Sequence, residues 1–586
     1  MQGTHDATKK SEAAADGRHL VLISIHGLVR GQELELGRDA DTGGQIKYVV
    51  ELARALGNTP GVARVDLLTR RVVDPAVDPL YAEAEEELGG CARICRIDAG
   101  PEGYIPKEQL WDHLDAFVDN AIDYIRSQER QPDLIHSHYA DAGYVGSRLA
   151  GLLGVPLVHT GHSLGRVKRR RLLASGLSKE DVEARYNMAR RIEAEEQTLA
   201  SADVVITSTH QEIEEQYGLY DHYQPDKMQV IPPGVDLERF FPPDGSERDE
   251  DIAADIRRFL RNQQKPFVLA LSRPDRRKNI GALITAYGES PKLQKAANLV
   301  VVAGQRDDIG DLDEGARDVM TDILMLVDRY DLYGRVAYPK QHMPDDVPVI
   351  YRLAALSRGV FINPALTEPF GLTLIEAAAS GLPIVTTEDG GPRDIISNCR
   401  NGLLVDPLDT DAIAHALLDV LQDRSAWNKR ASNGLRGVRD HYSWTAHAGT
   451  YLKTISGLLA GVKPPAPPVP VRRRPMLYHD RAIFTDLDQN LLGDPNSLAR
   501  FTEVMRNNRK CATFGIATGR RLDSALRVMR RFGIPEPDVL ITSSGTEIHY
   551  APNITADAHW SKHIDHQWTP HAVRRVLEEL PGIKLQ

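Results

Sequence analysis

The 586-residue chain is poor in cysteine, has no long apolar run and is short of positive charge. Each absence removes a class of protein. Four cysteines, Cys91, Cys95, Cys399 and Cys511, are too few for a disulfide framework. Cys91 and Cys95 have C-x3-C spacing without a second pair nearby, so they read as reduced core thiols rather than metal ligands. No run approaches the ~18 apolar residues that a membrane span needs. The opening MQGTHDATKKSEAAADGRH has no apolar core of a secretory signal and reads as disordered over residues 1–18, so a cytoplasmic location is expected. With 71 basic against 82 acidic residues the net charge is −11, which argues against a general nucleic-acid binder.

What is present is a repeated strand–helix rhythm. HLVLISI, VARVDLLT, DLIHSH, VPLVHT and ADVVITS are short apolar runs, separated by helical stretches such as GGQIKYVVELARAL and YNMARRIEAEEQTLA. Such alternation predicts a parallel sheet covered on both faces, here over residues 19–235. Pro232, Pro233, Pro242 and Pro243 punctuate its end. A second unit, 236–460, repeats the pattern with PFVLALS, NLVVVAG, RVAYP, GVFINP and PIVTT. Two such units in tandem place ligands in the cleft outside the carboxyl ends of their strands. A proline-rich linker is expected over 461–475. AIFTDLDQNLL then opens a third α/β unit, 476–586.

Four stretches could carry chemistry. In RDADTGGQIKYVV, Gly43 and Gly44 open a helix whose free amides and dipole favour an anion, although Asp41 or Thr42 could be a plain cap. TGHSLGRVKRR presents His162 at a strand end, with Arg166, Lys168, Arg169 and Arg170 behind it. Arg190 and Arg191 follow on a later helix, where ordinary i,i+4 charge pairing is the bland alternative. LSRPDRRKNI places Arg273 and Lys278 where two fixed cations suit a diphosphate. In GVFINPALTEPFGLTLIEAAAS, Glu368 lies beyond a strand, the amides of Phe370, Gly371 and Leu372 lie near a helix start, and Glu376 sits on that helix. A first-turn glutamate plus a solvated glutamate is the alternative there.

Taken together, E-x7-E after NPALTEPFGL, with R-x4-K upstream, resembles the retaining GT-B glycosyltransferases of family 4 over residues 19–460. DTGGQIKYVVELARAL, IHSHYADAG, GHSLGRVK, MARRIEAEE and VIPPGVD are similar to the sucrose-phosphate synthases within that group. The resemblance implies transfer of glucose from UDP-glucose to fructose 6-phosphate with retention, giving sucrose 6-phosphate and UDP. It assigns Glu368 to the sugar hydroxyls, helped by the amides of Phe370, Gly371 and Leu372, and Glu376 to the ribose. Arg273 and Lys278 match the diphosphate clamp, Gly44 approaches the diphosphate from the other unit, and His162 stands beside the sugar. Lys107, Lys168 and Arg191 match the basic residues that hold the acceptor phosphate, with Arg190 adjacent and not separable from Arg191, and Gln45 matches an acceptor contact. The uracil is expected on backbone near Val336 to Gln341. No metal is required for transfer, although Mg²⁺ could stimulate it. The alternative is sucrose synthase or another family 4 transferase with a different donor or acceptor.

In the third unit, Asp486 and Asp488 after an apolar strand, with Thr518 in ATGR, resemble the haloacid-dehalogenase phosphatases, in which two such aspartates flank Mg²⁺. The later lysine and acidic pair of that family do not appear before residue 586, so the expectation is an incomplete Mg²⁺ site and no phosphatase activity. A separate sucrose-phosphate phosphatase is the protein partner the resemblance allows. The expected fold is thus α/β, with two tandem Rossmann-like domains in GT-B arrangement and a partial phosphatase-like domain.

Overall fold

The computed structural model describes residues 17–35, 38–39, 41–460, 481–508, 512–551 and 554–565. The proline-rich linker, residues 1–16 and Cys511 lie outside the described residues.

The first unit is an eight-stranded sheet built from β1 (Arg18–Ile23), β2 (Val62–Arg70), β3 (Glu85–Gly89), β4 (Ala92–Ile97), β5 (Leu134–His138), β6 (Leu157–Thr160), β7 (Val204–Thr207) and β8 (Met228–Val230). The order is β3-β4-β2-β1-β5-β6-β7-β8. All neighbours are parallel except β3 and β4. The central strands are buried along almost their whole length, as expected when helices cover both faces. The antiparallel β3–β4 edge was not expected from the sequence: EEELG carries three glutamates and little apolar signal, and the turn is made by Gly89 and Gly90 at positive φ.

The second unit is a six-stranded parallel sheet of β9 (Phe267–Ser272), β10 (Asn298–Ala303), β11 (Val336–Ala337), β12 (Val360–Asn363), β13 (Ile384–Thr387) and β14 (Gly402–Val405), in the order β11-β10-β9-β12-β13-β14. The third is β15 (Arg481–Thr485), β16 (Ala512–Ala517), β17 (Val539–Thr542), β18 (Glu547–Tyr550) and β19 (Thr555–Ala556), with β15 at an edge.

Both large sheets reverse strand order beside their first strand, between β1 and β5 and between β9 and β12. A crevice opens at such a reversal, at the carboxyl ends of the strands. The chain passes between the units at two adjacent places. Val235 bridges Ser443 in parallel, and its amide donates to the Tyr442 carbonyl at 2.7 Å. After this second crossing, the helix Trp444–Ala460 buries Ala448, Tyr451 and Ile455 in the first unit, against Ile46, Val49 and Val50 of the helix Gly44–Gly57. Among the described residues no helix is long and apolar enough to cross a membrane. Cys91, Cys95 and Cys399 are free thiols.

Candidate active site

On the second unit, the reversal places Lys278, which follows β9, beside Glu368, which follows β12. Lys278 Nζ donates to Glu368 Oε2 at 2.6 Å, and Asn363 Nδ2 donates to the same oxygen at 2.9 Å. The lysine loop is fixed by Asn279, whose Nδ2 reaches the carbonyls of Pro364 at 3.1 Å and Pro407 at 2.8 Å. Arg273 is exposed at the end of β9 and makes no ion pair among the described residues. Glu368 is held on its backbone side by Gly390, with which it forms an isolated parallel bridge. Gly371, at φ +102°, turns the chain into the helix Leu372–Ala379, whose first amides therefore point out of the strand end. Phe370 is half-buried and Leu372 is exposed.

Glu376 lies one turn into that helix and receives the Tyr351 hydroxyl at 3.3 Å. Burial pushes its carboxyl up to about 7, against the pull of Lys47 and Arg239. Lys47 belongs to the first unit, so the two walls already sense each other. The stretch 336–341 is pinned by Arg306, which donates to the carbonyls of Pro339 at 3.2 Å and Tyr338 at 3.1 Å.

On the first unit, Gly43 and Gly44 face open space: a Cβ added at either would meet nothing within 4 Å. Neither Asp41 nor Thr42 caps the helix Gly44–Gly57; its N-cap is Gly43, without a side-chain bond. The helix start is thus left free for an anion, which removes the plain-cap alternative. Gln45 Nε2 donates to Ser24 Oγ at 3.3 Å and to the His138 carbonyl at 3.4 Å. His162 follows β6 at φ +56°, in the left-handed region that is uncommon for a residue other than glycine. Burial, with His159 and His26 nearby, pushes its imidazole down to about 3, so the ring is neutral at physiological pH.

Beside these residues lies a narrow recess lined by Lys107, Glu108, Trp111, Tyr139, Asp141, Lys168, Tyr186 and Arg191. Three cations from three different elements meet there. Lys107 forms an ion pair with Asp41 and another with Glu108 at 3.3 Å. Lys168 Nζ stands 4.4 Å from the centre of the Tyr186 ring. Its ammonium is held below its usual range by burial and by Arg191 and Lys107, a strain that a bound anion would relieve. Arg191 is buried and stacks 4.5 Å over Tyr139, itself at φ +79°. Arg190, one residue earlier, is outside the recess, exposed and paired to Asp112 at 2.6 Å.

Sequence reasoning does not single out Glu195. Its carboxylate accepts from the Gly165 amide at 3.0 Å, from Arg191 Nε at 3.0 Å and from the Tyr220 hydroxyl. It therefore ties the helix carrying Lys168 to the helix carrying Arg191. Nor did the sequence single out His210 and Gln211, which reach across the cleft to Asp394 at 3.3 Å and Asp389 at 3.1 Å. Only their distant partners would have marked them.

In the third unit Asp486, Asp488 and Thr518 lie at adjacent strand ends. Asp486 accepts from the Leu487 amide at 2.7 Å. Both oxygens of Asp488 are taken by Arg520, at 2.6 and 2.7 Å, and Thr518 Oγ1 accepts from the Arg520 amide at 3.3 Å. Among the described residues no three acidic, histidine or cysteine groups come together to hold a metal ion. With Asp488 neutralised in this way, the described residues do not fit a Mg²⁺ site.

The two facing Rossmann-like sheets with the cleft between them are the GT-B fold of glycosyltransferases. The solved sucrose-phosphate synthase of Thermosynechococcus elongatus is 30% identical, with a TM-score of 0.54, and is matched over 100% of its length and 76% of this chain. The chain belongs to the sucrose-phosphate synthase family. The probable sucrose-phosphate synthase 2 of Craterostigma plantagineum is 48% identical over 75% of this chain and 47% of its own length. The sucrose-phosphate synthase 4 of Arabidopsis thaliana is 39% identical over 96% of this chain and 66% of its own length. The chain spans about half the length of most of these curated relatives. Family profiles match in chain order: Glycosyltransferase Family 4 over residues 42–239, Glycosyl transferases group 1 over 251–436, and Sucrose-6F-phosphate phosphohydrolase over 479–586.

Proposed function

We propose that this chain transfers glucose from UDP-glucose to fructose 6-phosphate, with retention at the anomeric carbon, and releases sucrose 6-phosphate and UDP. The observation that carries the reading is the recess in which Lys107, Lys168 and Arg191 converge on the first unit, beside the cleft. Three crowded cations select a phosphorylated acceptor over a neutral sugar. The names of the relatives support the same donor and acceptor classes.

In this reading the uridine diphosphate lies on the second unit. Glu376 takes the ribose hydroxyls, Arg273 and Lys278 take the diphosphate, and Gly44 approaches it from the first unit. Glu368 and the amides at Phe370 to Leu372 hold the glucose hydroxyls, and His162 stands on its other side. Gln45 holds the acceptor. The bond from the anomeric carbon to the diphosphate oxygen breaks as the acceptor hydroxyl attacks from the same face. The leaving phosphate takes the proton of that hydroxyl. The chain's own work is to fix both sugars and to stabilise the leaving charge. Because Arg273 and Lys278 supply that charge, transfer proceeds without a metal, and Mg²⁺ acts at most as a stimulant. The compartment that fits this chemistry is the cytoplasm.

The test is UDP release from UDP-glucose with fructose 6-phosphate and free fructose as rival acceptors. Strong preference for the phosphorylated sugar, with sucrose 6-phosphate accumulating, is the expected result. Preference for free fructose overturns it.

A further inference from the structure

His138 ends β5, next to β6, two residues beyond which lies His162, and its side chain has no role in the account above. It is fully buried. Its Nδ1 lies 3.0 Å from His162 Nε2. Tyr48 packs edge-on against both rings, with centroids 5.8 Å from His138 and 4.9 Å from His162. The main-chain carbonyl of His138 accepts from Gln45. One buried residue therefore touches a group assigned to the donor sugar with its side chain, and a group assigned to the acceptor with its backbone.

We propose that His138 is a positioning residue that locks His162 in a single tautomer, with the proton on Nδ1, so that Nδ1–H is presented to the sugar as a donor. This rests on reading the cleft as a glycosyl-transfer site. The tautomer follows from hydrogen-bond accounting. Both imidazoles are held neutral by burial among several other histidines, so one of the two facing nitrogens carries a proton and the other accepts it. The far nitrogen of His138, Nε2, is buried without a partner. A proton placed there would leave an orphaned N–H, the costlier of the two unpaired states. The His138 proton therefore sits on Nδ1 and is donated to His162 Nε2. His162 must then carry its own proton on Nδ1. Among the described residues the bond of His162 is the one at Nε2, so its Nδ1, on a half-buried ring, remains for a ligand.

Three variants separate this from a packing role. In His138→Asn the amide nitrogen occupies the place of Nδ1 and can still donate to His162. In His138→Gln it lies further out, near the place of Nε2, and cannot. His138→Leu has no donor. The expected result is a loss of kcat on the order of a hundredfold in the leucine and glutamine variants. The asparagine variant should recover most of it, and the KM for UDP-glucose should change little in all three. In parallel, ¹⁵N-histidine NMR of the full chain, with His162 identified by its loss in His162→Gln, should show Nδ1 protonated in the wild type. It should show a tautomer mixture in His138→Leu. A wild-type His162 protonated on Nε2, a folded leucine variant with unchanged kcat, or an asparagine variant no better than glutamine overturns the proposal. If the leucine and glutamine variants do not fold, the wild-type spectrum and the asparagine variant decide. If the wild type does not use fructose 6-phosphate, the functional reading fails on its own, and the His162 spectrum still decides the tautomer.

Discussion

The ammonium of Lys278 and the carboxylate of Glu368 are 2.6 Å apart, and the same Glu368 oxygen also accepts from Asn363 at 2.9 Å. The carboxylate is thus fixed before any ligand arrives, and so is the cation proposed for the diphosphate. Replacing Glu368 by glutamine keeps shape and burial but removes the charge that orients Lys278. Transfer should fall by a hundredfold or more, roughly the loss seen when one preorganised electrostatic contact is removed. Because Glu368 is buried and only Lys278 keeps part of its side chain in solvent, unfolding stability should fall by a modest amount, on the order of 1–3 kcal/mol. Steady-state kinetics with a thermal melt on the same sample checks both, and near-wild-type turnover in a folded variant rules out the role.

Arg190 and Arg191 are neighbours in sequence, but their side chains go to different places. Only Arg191 lines the recess, while Arg190 points to Asp112 on the surface. Lys168 shares the recess with Arg191 and forms no ion pair with a carboxylate among the described residues. Lys168→Ala should raise the KM for fructose 6-phosphate roughly tenfold to a hundredfold, the worth of one charge-assisted contact. It should leave weak turnover of free fructose unchanged. Arg190→Ala should behave as wild type toward both acceptors. Equal effects of Lys168→Ala on both acceptors would show that it does not read the phosphate.

The parts of this molecule legible in the sequence are those encoded locally. Strand runs such as NLVVVA are continuous and apolar because both faces are covered, and β10 is buried at all six positions. Glu368 and Lys278 sit a few residues past a strand and Gly44 opens a helix after a loop, so position along the chain already placed them near a cleft. The rest depends on distant partners. Glu195 looks like any charge on EAEE, yet it is buried because Gly165 and Tyr220 close over it. His138 ends the strand LIHSH, where nothing marks it apart from His136, and its bond to His162 spans 24 residues. The destination of the helix Trp444–Ala460, packed on the first unit, is set by the double crossing at Val235 and Ser443 and not by its own pattern.

Gly390 supports Glu368 from behind. It has φ +102°, and a Cβ placed there would come within 2.1 Å of the Glu368 carbonyl oxygen. Both the conformation and the contact demand glycine. Gly390→Ala should therefore destabilise the protein by roughly 2–4 kcal/mol and lower transfer beyond what residual folding explains. The carbonyl it would displace is the one that receives the Gly391 amide at 3.0 Å, so the shift passes directly to the Glu368 side chain. A denaturant melt together with activity per folded molecule tests this. An alanine variant of unchanged stability would mean that the loop relaxes freely, and that Glu368 is not held from this side.

Glu376 supplies a pH dependence with a definite sign. Its carboxyl is raised from an ordinary 4.5 to about 7 in the folded protein, chiefly by burial. The unfolded chain loses this proton near 4.5, whereas the folded chain keeps it until about 7. Between those values the folded state holds the extra proton, so stability falls as pH rises through this window and levels off above it. If Glu376 receives the ribose hydroxyls as a carboxylate, binding of UDP must expel that proton. The KM for UDP-glucose should then rise as pH drops below about 7, approaching tenfold per unit. Calorimetry of UDP binding near pH 6, in buffers of different ionisation enthalpy, should register release of close to one proton. Glu376→Gln should abolish the release, weaken UDP and make the ligand-free protein more stable above pH 7. Binding without proton release in the wild type would mean that the ribose is held by the neutral acid or by other groups.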